Sequence, residues 1–240
     1  MLRTLEQQGA FLFRWRGYLP LLCLPILAWE LSRFSYPYGS PLADRLIELT
    51  CFAIAGIGLG IRSLVQGYAP SGTSSRATRR QRARKLNTTG MYSLCRHPLY
   101  LGNYVISFGV LLFFASPVLL ALFSLLFWLY YGRIMLAEEA FLAERFGDAY
   151  RVWAARTPAF FPRFSAWRRP GVPFRLSRVL RREYTTVLLI VVALTSFEVL
   201  GDFAIHGHFS IGPLWLALLS LAGLQYVVLR TLKKHTRVLR

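Results

Sequence analysis

The sequence predicts an all-α integral membrane protein with about six transmembrane helices and both termini in the cytoplasm. Of its 240 residues, 55% are hydrophobic, and the mean hydropathy is +0.41. This composition is too apolar for an ordinary soluble protein. The apolar residues are gathered in long runs, and the charged residues lie between the runs, as the high cost of a charge in hydrocarbon requires.

Six apolar runs are candidates for transmembrane helices. A full span needs roughly 17 to 25 residues, and some of these runs are shorter. Tilt and long basic side chains that reach the headgroups can absorb the difference. The runs are residues 18–31, 46–61, 99–114, 118–135, 184–200 and 211–229.

The basic residues predict the orientation of these spans. With the N-terminus inside, 27 of the 29 Lys and Arg residues fall in cytoplasmic segments, and only Arg33 and Arg45 fall outside. Such an excess on the inner side is the usual pattern of membrane proteins. It supports an even number of spans, and the formal charge of +18 favours contact with anionic lipids.

Nucleic-acid binding is the alternative explanation of so many arginines. A run such as residues 79–85, with four arginines and one lysine, would suit it. Each basic block, however, lies directly beside an apolar run, which membrane topology requires and nucleic-acid binding does not. We therefore predict membrane and lipid partners and no nucleic-acid partner, while the oligomeric state stays open.

The chain divides into three parts around a helical hairpin. Residues 1–85 hold the first spans and a basic loop, residues 86–165 hold the hairpin, and residues 166–240 hold a basic connector, two spans and a basic tail. Only residues 115–117 separate the two hairpin runs, which leaves room for a tight turn. The second hairpin helix is expected to continue into the cytoplasm and end at Gly147.

The start of the third run has features of an anion-binding site. Proline suits the first turn of a helix, so His97 and Pro98 mark this start. Free backbone N–H groups and the helix dipole favour an anion there, and Arg96 adds a donor. Gly102, one turn later, allows a ligand or a neighbouring helix to approach closely. The alternative is that these residues only begin and orient a membrane helix.

Glu138 and Glu139 directly follow the fourth run. Because the third and fourth runs form a hairpin, the end of the second helix returns to the membrane face where the first helix began. The two carboxylates are thereby expected near Arg96 and His97. The alternative is that this glutamate pair is only a solvated helix end.

These residues together resemble a known family. The order Gly90-x-Tyr92, Arg96-His97-Pro98-x-Tyr100-x-Gly102, a short hairpin, Glu138-Glu139 and Phe146-Gly147-x-x-Tyr150 is similar to the isoprenylcysteine carboxyl methyltransferases. Membrane phospholipid N-methyltransferases share part of the pattern. The resemblance covers about residues 86–163, and some 90 residues with two spans follow Tyr150.

The resemblance implies an S-adenosylmethionine-dependent methyltransferase with a lipophilic acceptor that enters from the bilayer. It also implies Arg133 and Glu139 as catalytic residues, with Arg133 holding an acceptor carboxylate. We expect O-methylation of a carboxylate or hydroxyl in a bacterial inner membrane, with the site facing the cytoplasm. Methylation of an aminolipid nitrogen and a non-enzymatic transporter or scaffold are the alternatives. The implied cofactor residues are Tyr92, Arg96, His97, Pro98, Tyr100, Gly102, Glu138, Glu139 and Tyr150.

Two weaker candidates lie outside this stretch. Asp202, His206 and His208, near Glu198, could bind a metal, but loop histidines are commonly only polar, and no metal site is predicted. Glu48 is an ionisable residue in or near the second run. Such a residue at membrane depth is a functional candidate by default, although this one could simply lie at the outer interface.

Overall fold

The computed structural model describes residues 2–15, 24–36, 40–70 and 85–236, and these residues contain helices and no strand. The all-α prediction is therefore confirmed over the described part of the chain. The α-helices, in chain order, are α1 Leu2–Trp15, α2 Leu24–Ser32, α3 Pro41–Gly67, α4 Met91–Leu94, α5 Pro98–Leu111, α6 Pro117–Phe146, α7 Asp148–Arg156, α8 Leu176–His206 and α9 Pro213–His235.

Four of the described helices are long and apolar enough to cross a membrane: α3, α6, α8 and α9. The helix that begins at Pro98 is also apolar but shorter, because it ends in a 3-10 turn at Leu112–Phe114. The predicted first span, residues 18–31, lies partly outside the described residues, and its described part forms the nine-residue α2. The number of six spans is thus matched only in part, and the orientation of the termini stays a prediction.

The predicted hairpin turn joins α5 to α6. Ala115 adopts a left-handed conformation with φ of 47°, which ends the first helix. The Ser116 hydroxyl accepts a hydrogen bond from the Leu119 backbone N–H at 3.3 Å, and Pro117 occupies the first turn of α6. A capping serine followed by proline is a strong local start signal for a helix. The turn therefore follows from its own residues.

Glycines on α3 and α5 let these two helices pack closely. A Cβ atom added at Gly58 would lie 2.7 Å from the Ile106 backbone nitrogen, and one at Gly109 would lie 2.7 Å from that of Ala55. Close backbone approach at small residues is a common mode of helix association in membranes. Helix α1 packs along α6, and α8 packs against both α3 and α9. The α3–α5 contact sets the position of His97 at the start of α5.

Replacing Gly58 with alanine is expected to lower the thermal unfolding midpoint, because the new methyl group would meet backbone atoms of α5. Gly60 is the matched control, since a Cβ atom there has no heavy atom within 4 Å. Gly60→Ala should leave the midpoint unchanged or raise it, because alanine favours helix by about 1 kcal/mol over glycine. Thermal unfolding of both variants in detergent tests this packing, and equal midpoints would contradict it.

Candidate active site

Glu139 on α6 lies between Arg96 and His97 at the start of α5. One carboxylate oxygen, Oε1, is 3.0 Å from Arg96 Nε and 2.9 Å from His97 Nε2. An ionised carboxylate can only accept hydrogen bonds, so His97 Nε2 carries the proton in this arrangement. The His97 side chain is 4% exposed and the Glu139 side chain 22% exposed. The Arg96 guanidinium and the His97 imidazole thus hold the Glu139 carboxylate in a largely buried position.

Glu138 occupies a more open position beside the same histidine. Its Oε2 atom accepts a hydrogen bond from the Tyr100 hydroxyl at 3.0 Å and lies 3.8 Å from His97 Nδ1. Its side chain is 35% exposed. The Tyr100 and His97 rings stack with centroids 5.7 Å apart. The site therefore has one carboxylate that is held by its neighbours and a second that is accessible to a ligand.

The segment that carries Arg96 and His97 is held by the chain that follows α7. The Arg96 backbone N–H donates to the Pro158 carbonyl at 2.8 Å, and the His97 N–H donates to Ala159 at 3.1 Å. The Arg96 guanidinium also donates to the Ala154 carbonyl at 3.1 Å. These bonds fix the position of residues 96 and 97, because both their backbone and the Arg96 side chain are hydrogen-bonded.

Tyr150 and Tyr92 complete the wall of the site. Tyr150 is buried, and its hydroxyl makes no well-formed hydrogen bond with a described residue. Burial and the nearby Glu139 carboxylate raise the pKa of Tyr150 above its ordinary value. Burial and the charge of Glu138 likewise raise the pKa of Tyr92. Both phenols are therefore neutral near pH 7 and can donate a hydrogen bond.

The structure brings most of the predicted residues together but separates two of them from the group. Gly102 faces α3, where an added Cβ would lie 2.6 Å from Arg62 Cγ, so its place is in helix packing. Arg133 faces α1, and its guanidinium donates to the Gln8 side chain at 3.0 Å and to the Leu129 carbonyl. At about 100° per residue, Arg133 and Glu139 lie about 120° apart around α6. The helical period therefore already predicts this separation.

Two aromatic residues belong to the site although no motif identified them. Tyr131 contacts the Tyr100 ring at a centroid distance of 5.1 Å. It lies seven residues before Glu138, a spacing that puts both on one face of a helix, so this signal was present in the sequence. Trp153 donates its indole N–H to the Tyr92 carbonyl at 3.2 Å and packs edge-on against Tyr150. It links α7 to α4.

A cavity of about 240 Å³ opens beside this site, on the side of α7. Its lining includes Ser93, Trp153, Thr157 and Arg168, and it contains none of Arg96, His97, Glu138 or Glu139. Pockets for drug-sized ligands usually measure about 300–1,000 Å³. The cavity is smaller than this range and does not include the cluster of Arg96, His97 and Glu139, so the side-chain cluster is the better guide to the site.

Comparison with known proteins adds an independent observation about this part of the chain. Residues 51–149 match the phospholipid methyltransferase family. This segment includes most of α3, all of α5 and α6, and the residues Arg96, His97, Glu138 and Glu139. The resemblance predicted from the sequence is confirmed. Helices α8 and α9 lie outside the matched segment.

Several curated proteins are similar over a limited length. Nickel-cobalt-cadmium resistance protein NccN of Alcaligenes xylosoxydans xylosoxydans is 41% identical over 88 residues, which are 37% of this chain and 41% of that protein. Protein-S-isoprenylcysteine O-methyltransferase of Schizosaccharomyces pombe is 33% identical over 86 residues, 36% of each chain. The Mus musculus protein of the same name is 31% identical over 77 residues, 32% of this chain and 27% of that protein.

The chain spans about two fifths or less of the length of these relatives. The similarity to these relatives therefore concerns a limited part of each protein. No solved structure matches the chain.

Proposed function

We propose that the protein is an integral membrane methyltransferase that uses S-adenosylmethionine to methylate a carboxylate or hydroxyl of a lipophilic acceptor. The observation that carries the proposal is the cluster of Arg96, His97 and Glu139 at the start of α5. This cluster lies within the segment that is similar to methyltransferases. Part of the chain is also similar to proteins named as O-methyltransferases.

The residues of the site suit the polar groups of S-adenosylmethionine. Its methionine part has a carboxylate, which suits Arg96 and His97, and an ammonium group, which suits a carboxylate. Glu138, at 35% side-chain exposure, is available for this ammonium or for the ribose hydroxyls. The buried Tyr150 hydroxyl, without a well-formed hydrogen bond, offers one further donor. The chemistry of the donors and acceptors therefore fits the cofactor.

The proposed roles of the site residues follow from their positions. The residues proposed to contact the cofactor are Tyr92, Arg96, His97, Pro98, Tyr100, Glu138, Glu139 and Tyr150. Gly102 would act through the packing of α5 on α3, because α3 occupies the space beside it. The proposed role of Arg133 as the cation for an acceptor carboxylate requires an acceptor that reaches the α1 side of α6.

Methyl transfer requires that the methyl donor and the acceptor are aligned and that water is excluded. It does not require a nucleophilic side chain. The cofactor, when bound, supplies an electrophilic methyl group on a sulfonium, and no covalent enzyme intermediate is needed. The protein then has to hold donor and acceptor in line and exclude water. Glu139 serves this purpose by fixing Arg96 and His97. A carboxylate acceptor needs no base, whereas a hydroxyl acceptor would need one.

An aromatic column beside the cluster supports a lipophilic acceptor. Tyr131 stacks on Phe127 with ring centroids 4.3 Å apart, and Phe127 contacts Tyr104 at 5.0 Å. Tyr131 in turn contacts Tyr100, whose hydroxyl reaches Glu138. The column runs between α5 and α6, away from the polar cluster. Its partly exposed members, Tyr104 and Tyr131, would contact a hydrocarbon chain whose polar end lies at Glu138, while Phe127 is buried behind them.

The proposed orientation puts this site at the cytoplasmic face of a bacterial inner membrane. The connector between α7 and α8 carries exposed arginines, including Arg163, Arg168 and Arg169. The connector is hydrogen-bonded to α4, which lies beside the site, since the Arg168 backbone N–H donates to the Ser93 hydroxyl at 2.9 Å. Basic residues prefer the cytoplasmic side and anionic lipids. This supports six spans with both termini inside as the proposed topology.

The first test of the proposal is cofactor binding by the purified protein. S-adenosylhomocysteine, the demethylated product, should bind to the full chain in detergent in isothermal titration calorimetry, with one molecule per chain. The expectation rests on the matched charges of the cluster. Absence of binding by folded protein would overturn the proposal and favour a transporter or scaffold.

The second part of this test identifies the acceptor. Cells with and without the gene are fed methionine with a labelled methyl group, and their lipids are compared by mass spectrometry. A species that gains one methyl group only when the gene is present is the product. Release of the label as methanol in mild alkali identifies a methyl ester, whereas alkali-stable label on nitrogen would contradict O-methylation and support aminolipid N-methylation.

A further inference from the structure

A second group of charged residues lies at the opposite end of the helix bundle. Asp44 and Glu48 are one turn apart near the start of α3, and Glu198 comes from the last third of α8. Their carboxylates can each supply an oxygen such that all three oxygens lie within 4.8 Å of one another. About 21 Å of α3 separates Glu48 from Arg62, which lies at the end near His97 and Gly102. This group is therefore separate from the proposed active site.

The three carboxylates have no positive partner in the described part of the chain. The ion pairs found there all involve other carboxylates. Asp44 is 6% exposed, yet its carboxylate makes no hydrogen bond or ion pair with residues 2–15, 24–36, 40–70 or 85–236. Thr195, one turn before Glu198, is also buried, and its hydroxyl has no hydrogen-bond partner there. Buried polar groups normally find partners, and a bound cation would be one for Asp44. The Glu48 and Glu198 carboxyl groups are close enough to share a hydrogen bond.

Three carboxylates at this spacing repel one another unless a cation or protons neutralise them. Calcium binds oxygen ligands at about 2.3–2.6 Å, so ligands on opposite sides of the ion lie up to about 5 Å apart. Three carboxylate oxygens within 4.8 Å of one another can therefore all reach one such cation. Oxygen ligands suit calcium, magnesium and manganese alike.

We propose that Asp44, Glu48 and Glu198 bind a divalent cation of the kind that takes oxygen ligands, with calcium as the probe. The cation would join the start of α3 to the end of α8. Asp202, one turn beyond Glu198, is already occupied, since it accepts hydrogen bonds from Tyr36 at 3.0 Å and from Ser210 at 3.1 Å. It adds negative charge near the cation while it holds the neighbouring segments in place.

The chemistry of this group differs from the histidine-containing metal site considered for the last loop. His206 and His208 are exposed, and their Nδ1 atoms lie 3.2 Å from backbone carbonyl oxygens. Neither belongs to the group of possible ligands, which are all carboxylate oxygens. Oxygen-only sites suit calcium, magnesium and manganese, whereas imidazole suits zinc, copper and nickel. All three ligands also lie outside residues 51–149, so the proposal does not depend on the proposed function.

The test is calcium binding by the full chain in detergent after removal of metals with EDTA. Calcium should bind with one ion per chain in calorimetry and should raise the thermal unfolding midpoint. Glu198→Gln and Asp44→Asn should each abolish the calcium response. Without calcium, both variants should unfold at the same temperature as the original protein or higher, because one repelling charge has been removed.

Glu144→Gln is the matched control, because Glu144 is an exposed acidic residue on α6. It should keep the full calcium response. The proposal is overturned if calcium and manganese leave the original protein unchanged, since the carboxylates would then be neutralised by protons. It is also overturned if a folded Glu198→Gln or Asp44→Asn protein responds to calcium like the original. Binding of S-adenosylhomocysteine is measured on the same samples, so a failure of the proposed function would be seen separately.

Discussion

Replacing Glu139 with glutamine is expected to lower the affinity for S-adenosylhomocysteine about 10- to 100-fold, which corresponds to one charge-assisted contact of about 1.5–3 kcal/mol. Glutamine keeps the size of the side chain but loses its charge. Arg96 and the buried His97 would then lack the carboxylate that holds both of them. Their changed orientation should weaken the binding of the methionine part of the cofactor.

Calorimetry on Glu139→Gln and on Glu144→Gln measures this effect with a matched control. Both residues are glutamates on α6, but Glu144 is exposed and lies outside the cluster. Glu144→Gln should bind like the original protein. The thermal unfolding midpoint of each variant shows whether it is folded. Unchanged affinity in folded Glu139→Gln would mean that the cluster only stabilises the ends of α5 and α6.

Replacing Glu183 with alanine is expected to destabilise the protein by about 3–5 kcal/mol, the usual cost of removing one partner of a buried ion pair. The Glu183 carboxylate accepts two hydrogen bonds from Arg62, at 2.9 and 3.0 Å, and its side chain is 4% exposed. Arg62 also donates to the Asn103 side chain on α5. Without Glu183, a largely buried guanidinium would lose its main partner, and α8 would lose its polar link to α3 and α5.

The double replacement of Arg62 and Glu183 by methionine separates charge from packing. Apolar replacement of both partners of a buried ion pair is often neutral or stabilising, because no charge is left without a partner. The double variant should therefore unfold at a higher temperature than Glu183→Ala in detergent. If the single and double variants are equally unstable, lost packing explains the effect and the ion pair does not.

This ion pair gives the C-terminal helices a physical link to the candidate active site. Glu183 belongs to α8, which lies outside the segment similar to methyltransferases. Arg62 lies against Gly102, one turn into the helix that His97 begins. The affinity for S-adenosylhomocysteine is measured for Glu183→Ala and for the double variant. A larger loss of affinity in Glu183→Ala would show that an Arg62 side chain without its partner disturbs the site.

Much of the hairpin could be predicted from neighbouring residues. Proline and serine at the turn start a helix through their own backbone and side-chain preferences, and the short turn returns Glu138 and Glu139 to His97. These signals are local, so they act in any packing arrangement. The all-helical class and the nearness of the two glutamates to His97 follow from them, whereas the pairing of Glu139 in particular with His97 is seen only in the structure.

The faces that the helices present to one another depend on contacts between residues far apart in the chain. Gly102 was expected beside a ligand or a neighbouring helix, and the structure shows that its neighbour is α3. Glu183 carried no signal and pairs with Arg62 across 121 positions. Asp44, Glu48 and Glu198 come together in the same way. A local pattern predicts where a helix begins and ends. Its rotation and its neighbours are decided by close packing and by the need to give each buried charge a partner, and these exist only in the folded protein.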